Sequence, residues 1–285
     1  MTSSGIIDSH QHFFDPDRGD YPWLEESRYA PIRRIWSPND FLEEAAHESV
    51  VYSVLVQTWS SLGETEEFLA LAARHDFIAG VVGWVDLTEP DVSGVIERLL
   101  ERPDGHFLKG LRHQVHDEAD PEWLLRSDVR RGLEAVGRAD LVWDLLVRPR
   151  ELPAALATVR DHPQQRFVID HIGKPNIRLG MREEWLTALM PFAELPNVAC
   201  KVSGIVTEAT WGDWSLDELS SYAGTAIQMF GADRVMFGSD WPVCRVAASY
   251  GQVVDIVRQA LAPLSEKEIH SVWWLSAALW YRLEV

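Results

Sequence analysis

Basic residues are scarce in this 285-residue chain: 26 Lys and Arg stand against 44 Asp and Glu, a formal net charge of −18. So acidic a protein repels polyanions, which argues against nucleic acid and against an anionic membrane surface as partners. Cysteine is scarcer still, with Cys200 and Cys244 alone and no Cys-x-x-Cys pair. That excludes a disulfide scaffold and a zinc finger, and makes a reducing cytoplasm the expected setting. No apolar run reaches membrane-spanning length, and Met1 to Gly5 lacks the cationic and apolar parts of a secretory leader. The glycine-rich phosphate turns G-x-G-x-x-G and G-x-x-x-x-G-K-S/T are missing, as is the G-x-S-x-G elbow. Nucleotide binding on such a turn and a serine acyl-enzyme are therefore disfavoured. The expectation is a soluble monomer or homodimer acting on a small molecule.

What is present is a regular alternation. β-rich runs fall at 5–12, 50–58, 77–87, 107–115, 141–147, 166–171, 198–204 and 234–240. Between them lie segments of helical spacing with start signals: Ser37-Pro38 before Phe41 and Leu42, Glu89-Pro90 before Val95 and Ile96, Ser265-Glu266 before a last helix carrying Val272, Trp273, Leu275 and Leu279. With 46% hydrophobic residues the chain can bury a large core. Eight strands alternating with helices, and no linker between them, predict one (β/α)8 barrel over residues 1–285, closed by a C-terminal helix. A doubly wound sheet is the alternative.

In a barrel the function lies where the strands end. The first run ends in Ile6-Ile7-Asp8-Ser9-His10-Gln11-His12. Alternate side chains of a strand share a face, so His10 and His12 converge, either as ligands for a divalent metal or as ordinary hydrogen-bonding histidines. The last run ends at Asp240, stopped by Trp241-Pro242. The other strand ends supply Gln57, Thr58 and Trp59; Trp84 and Asp86; Lys109, Arg112, His113 and His116; Asp144 and Arg148; Asp170, His171 and Lys174; Lys201 and Ser203.

These residues carry a family resemblance. Ile7-Asp8-Ser9-His10-Gln11-His12, Phe107-Leu108-Lys109-Gly110-Leu111-Arg112, Asp170-His171-Ile172-Gly173-Lys174-Pro175 and Gly238-Ser239-Asp240-Trp241-Pro242 resemble the amidohydrolase superfamily, and within it the lactonase branch. The resemblance runs from the first strand to the last helix. It implies a distorted (β/α)8 barrel that opens a lactone with water, with His10, His12, His171 and Asp240 in the core roles. The chain departs from a full metal centre, because the fifth run, Leu141 to Val147, has no histidine. One divalent ion, zinc or manganese, held by His10, His12, Asp240 and His171 is therefore expected, or none at all.

Ester hydrolysis needs an activated water, a stabilised oxyanion and a protonated leaving alkoxide. Asp240 is the expected base, and His171, Lys109 or Arg112 would polarise the carbonyl. Arg112, His113, Trp84, Gln57 and Trp23 are expected to bind substrate. Trp23 lies in an aromatic stretch with Phe13, Phe14, Tyr21, Tyr29 and Trp36, which suits stacking on a neutral sugar lactone. The rival readings are a metal-dependent decarboxylase of the same superfamily and a barrel that binds sugar acids without turnover.

Overall fold

The computed structural model describes residues 5–19 and 21–285. Its eight strands are β1 (Ile6–Gln11), β2 (Val50–Val56), β3 (Ile78–Gly83), β4 (Leu108–His113), β5 (Val142–Leu145), β6 (Phe167–Ile169), β7 (Val198–Val202) and β8 (Val235–Phe237). They pair in sequence order and all in parallel. A doubly wound sheet would reverse its strand order midway, so that alternative is excluded. Helices α1 (Pro38–Ala45), α2 (Leu62–Ala72), α3 (Val92–Leu100), α4 (Ser127–Arg138), α5 (Leu152–Asp161) and α6 (Arg182–Ala193) return the chain between strands. A single turn, α7 (Ile205–Glu208), and the longer α8 (Leu216–Phe230) lead to β8, and α9 (Tyr250–Leu261), α10 (Glu266–His270) and α11 (Ser276–Trp280) follow it. The start signals act as expected: Ser37 with Asp40, and Ser265 with Glu268, form reciprocal capping boxes. No described helix is long and apolar enough to cross a membrane.

The sheet closes at a seam between β8 and β1. Asp240 N–H donates to the His10 carbonyl at 2.8 Å, and His12 N–H donates to the Trp241 carbonyl at 2.7 Å. Buried Asp8 staples the seam by accepting from the backbone N–H groups of Ser239 and His10 and from the Tyr250 hydroxyl. Stapling these two strand ends brings His10, His12 and Asp240 together.

Ile7, Val54, Val82, Val142, Val168, Ala199 and Met236 fill the lower barrel, and Ala277, Tyr281 and Leu283 of the C-terminal segment plug its floor. The expected last helix is broken by a wide π turn at Ser271–Leu275 between α10 and α11. Its tryptophans pack on the barrel, Trp273 against Phe237 and Trp274 against Tyr52.

Two irregularities in the strands matter for function. Asp8 pairs with Ser53 and Gln11 with Leu55, so β1 carries one extra residue there. Such a bulge flips the facing of later residues: Ile7 belongs to the barrel core, yet His10 and His12 also reach the interior site. On β4, Val81 pairs with Leu108 and Val82 with Gly110, leaving Lys109 as the extra residue.

Candidate active site

Five of the eight strands place ionisable side chains at or beneath the mouth. His10 and His12 come from β1, Arg112 from β4, Asp144 from β5, Lys201 from β7, and Asp240 follows β8. After β6 the chain turns sharply: His171, Ile172, Gly173 and Lys174 all have left-handed φ, between 49° and 72°. Asp240 is left-handed as well, at φ 58°. Non-glycine residues rarely hold this conformation, and they collect where the backbone is bent to aim side chains at a site. Gly204 passes so close that a Cβ there would lie 2.5 Å from His171 Nδ1 and 3.0 Å from Asp240 Oδ2.

Three of the four expected metal donors converge. His12 Nε2 lies 3.3 Å and His10 Nε2 3.8 Å from Asp240 Oδ1. His12 Nδ1 lies 2.7 Å from the Val56 carbonyl, which only accepts, so Nδ1 carries the hydrogen. In the neutral ring Nε2 is then a lone pair facing a carboxylate oxygen, two electron-pair donors with no hydrogen between them. That arrangement fits a bound cation, and two imidazoles with one carboxylate suit zinc. His171 sits beside this group, with Nδ1 2.9 Å from Ser203 Oγ. Burial is the main cause that pushes His10 and His171 well below the ordinary histidine value, keeping both neutral. Burial alone would raise Asp240; the adjoining His171, His12 and Lys174 hold it below the usual carboxylate value instead.

Beneath the donors lies a fully buried polar network. Lys201 Nζ contacts Asp144 Oδ2 at 2.6 Å, Asp170 Oδ1 at 3.0 Å and His10 Nδ1 at 3.1 Å. Tyr281 of the floor donates to the Asp144 carboxylate at 2.7 Å. Arg112 Nη1 donates to Asp170 Oδ2 at 2.9 Å and approaches His10 Nε2 at 3.1 Å, while Nη2 donates to the Gln57 carbonyl. The fifth strand, which has no histidine, thus contributes the Asp144 carboxylate instead, paired with a lysine two strands away. Lys201 and Asp144 stood among the strand-end residues, but their pairing could not be read before the register was known.

Of the expected site residues, His10, His12, His171, Asp240, Arg112 and Trp23 meet around one cavity, although His10 itself lies just below its wall. Lys109 does not join them. As the bulged residue of β4 it packs against Gly80 and Leu283, near Glu284 and Arg282, toward the barrel floor. Trp84 donates through Nε1 to His113 Nδ1 at 3.0 Å, and His113 stacks on Trp123 with ring centres 4.4 Å apart. Those two line or back a neighbouring, wider opening where no cluster of metal-type donors lies among the described residues, which leaves the cavity over Asp240 as the candidate site. Gln57 is buried and braces Arg112 and Gln114. The cavity also recruits Tyr29, His116, Arg148 and Lys174. The last three sat in the strand-end inventory without a role; Tyr29 comes from the aromatic stretch that also supplies Trp23.

An eight-stranded barrel with paired histidines ending its first strand and a buried carboxylate ending its eighth defines a hydrolytic barrel of the metal-site type. The chain belongs to the amidohydrolase family, whose model matches residues 7–283. It is similar to an L-fucono-1,5-lactonase of Burkholderia multivorans, 38% identical over 293 residues, which covers 97% of this chain and 96% of that protein. A protein of the same name from Burkholderia ambifaria is 38% identical, with 86% and 83% covered. A crystal structure of an amidohydrolase from Burkholderia multivorans with bound zinc superposes with a TM-score of 0.91 at 38% identity, covering 98% of this chain and 99% of that one.

Proposed function

We propose that this protein hydrolyses a sugar lactone, of the L-fucono-1,5-lactone kind, to the open-chain acid. The observation that carries the reading is the buried Asp240 carboxylate, ionised by its surroundings and set against the lone pairs of His10 and His12. Similarity to the two lactonases supports the substrate class.

Asp240 accepts the proton of the attacking water and returns it to the ring oxygen as the ester bond breaks. His12, anchored by Val56, and His171, anchored by Ser203, orient that water. Lys174 lines the cavity and stabilises charge developing on the carbonyl oxygen, a role the sequence offered to His171, Lys109 or Arg112. A zinc or manganese ion held by His10, His12 and Asp240 would supply a more acidic water and a polarised carbonyl.

The cations of the cavity favour a neutral ring over a dicarboxylated one. Arg112 is paired with Asp170, Lys174 with Glu208 at 2.6 Å and Arg28 with Glu26 at 2.9 Å. Only Arg148 of the four makes no ion pair among the described residues. Trp23 and Tyr29, in edge contact with ring centres 5.4 Å apart, offer the apolar wall a sugar face needs. The proposal takes residues 1–285 as a single working unit. Unpaired, buried Cys200 and Cys244 suit the proposed cytoplasmic setting.

The test is a panel of aldono-1,4- and 1,5-lactones assayed by acid release, with carbon dioxide followed in parallel. Turnover of L-fucono- or a related neutral lactone, without carbon dioxide, is expected. Carbon dioxide release would turn the assignment to a decarboxylase, and saturable binding without turnover to a sugar-acid receptor.

A further inference from the structure

His10 lies between two cations, and its single lone pair can serve only one of them. A neutral imidazole has one N–H and one bare nitrogen. Asp170 Oδ1, 3.2 Å from Nδ1, is the acceptor in reach of that nitrogen and has no well-formed hydrogen bond from any other group. Lys201 Nζ, 3.1 Å from the same nitrogen, already donates to Asp144 Oδ2 at 2.6 Å. Nε2 is therefore the bare nitrogen. Its nearest polar neighbour is Arg112 Nη1 at 3.1 Å, closer than Asp240 Oδ1 at 3.8 Å.

The guanidinium thus stands where His10 would otherwise offer its lone pair to a metal. It is held there firmly: Arg112 is 3% exposed, donates to Asp170 and to the Gln57 carbonyl, and Gln57 is braced in turn by Gln114. We propose that Arg112 is a built-in occupant of the His10 position of the metal site, so that zinc binds only by displacing it and is held weakly. The resting site then carries its positive charge on the chain itself. A loaded site keeps Arg112 on Asp170 and Gln57 but frees His10 Nε2. Arg112 was expected to touch substrate; the contact with His10 couples it to the metal site as well.

The test is calorimetric titration of zinc into the folded protein without substrate, so its result is independent of which lactone, if any, is turned over. Arg112→Gln removes the competing N–H and should bind zinc at least about ten-fold more tightly, a gain of about 1.4 kcal/mol. Arg112→Lys keeps a cation beside Asp170, but its nitrogen falls one bond short of Nη1. Tightening by at least about three-fold in that variant separates occupancy of Nε2 from simple charge repulsion. Lys174→Met, which removes a cation of the same cavity that does not touch His10, is the reference for repulsion alone. Should Arg112→Gln fail to fold, by circular dichroism, Arg112→Lys decides the matter. Zinc affinity that is unchanged in Arg112→Lys, or that rises in Arg112→Gln no more than in Lys174→Met, overturns the proposal.

Discussion

Replacing Lys201 by methionine shortens the side chain by one atom and deletes its charge. Lys201 is fully buried, and so are the two carboxylates it touches, Asp144 at 2.6 Å and Asp170 at 3.0 Å. Removing one partner of a buried ion pair costs about 3–5 kcal/mol, because the remaining charge has no water to return to. Asp170 keeps Arg112 at 2.9 Å and Asp144 keeps the Tyr281 hydroxyl at 2.7 Å, so the lower end of that range is expected. At roughly 2.1 cal/mol/K per residue, a 285-residue chain has an unfolding entropy on the order of 0.6 kcal/mol/K, and 3–5 kcal/mol lowers Tm by about 5–8 °C. The loss must also depend on pH. Burial, only partly offset by Lys201, already raises Asp144 from its ordinary value to about 6. A folded-state acid with a raised pKa stabilises the fold fully below its unfolded value, near 3.8, and loses that contribution as pH rises through about 6. Without the ammonium the folded value climbs further, so Lys201→Met should fall short of the parent by less at pH 5 than at pH 8. Thermal unfolding of both proteins at the two pH values, followed by circular dichroism, measures this. A deficit below about 1 kcal/mol, or one equal at both pH values, would refute the buried-network account.

Two further variants probe the site. His12→Ala should reduce zinc affinity by about 10- to 100-fold, read from the metal retained after dialysis, because it deletes a donor whose tautomer Val56 already fixes for binding. Lys109→Met should change kcat and KM for the lactone by less than about two-fold in steady-state assays, since that side chain lies toward the barrel floor beside Leu283.

The barrel was legible because it is a matter of alternation: apolar runs recur eight times with helices between them, several opened by a capping serine, and each pair of neighbours in sequence became neighbours in the sheet. His10, His12 and Asp240 were legible because strand ends define the mouth, although the bulge between Asp8 and Gln11 that helps turn the histidines inward leaves no mark in the sequence. Lys109 was misplaced for the opposite reason. A bulge at that residue leaves no trace in the sequence, yet it directs the lysine toward the floor, while Arg112, three residues on, enters the site. The Lys201–Asp144–Tyr281 chain spans β7, β5 and the C-terminal segment. Such pairings depend on which residues share a layer of the barrel, and that is set by stagger between strands. Trp84 and His113 were read as substrate ligands from their positions, but they engage each other beside the cavity.

The central claim is that Asp240 activates the water that opens a lactone ring. Its most direct test is the kcat of Asp240→Asn against the parent on L-fucono-1,5-lactone, by acid release at neutral pH, with Tm recorded on the same samples. The amide retains the hydrogen-bonding shape of the carboxylate but cannot take the water's proton, so kcat should fall by about 10²–10⁴-fold while the variant remains folded. A folded Asp240→Asn protein that keeps more than about a tenth of the parent rate would contradict the account.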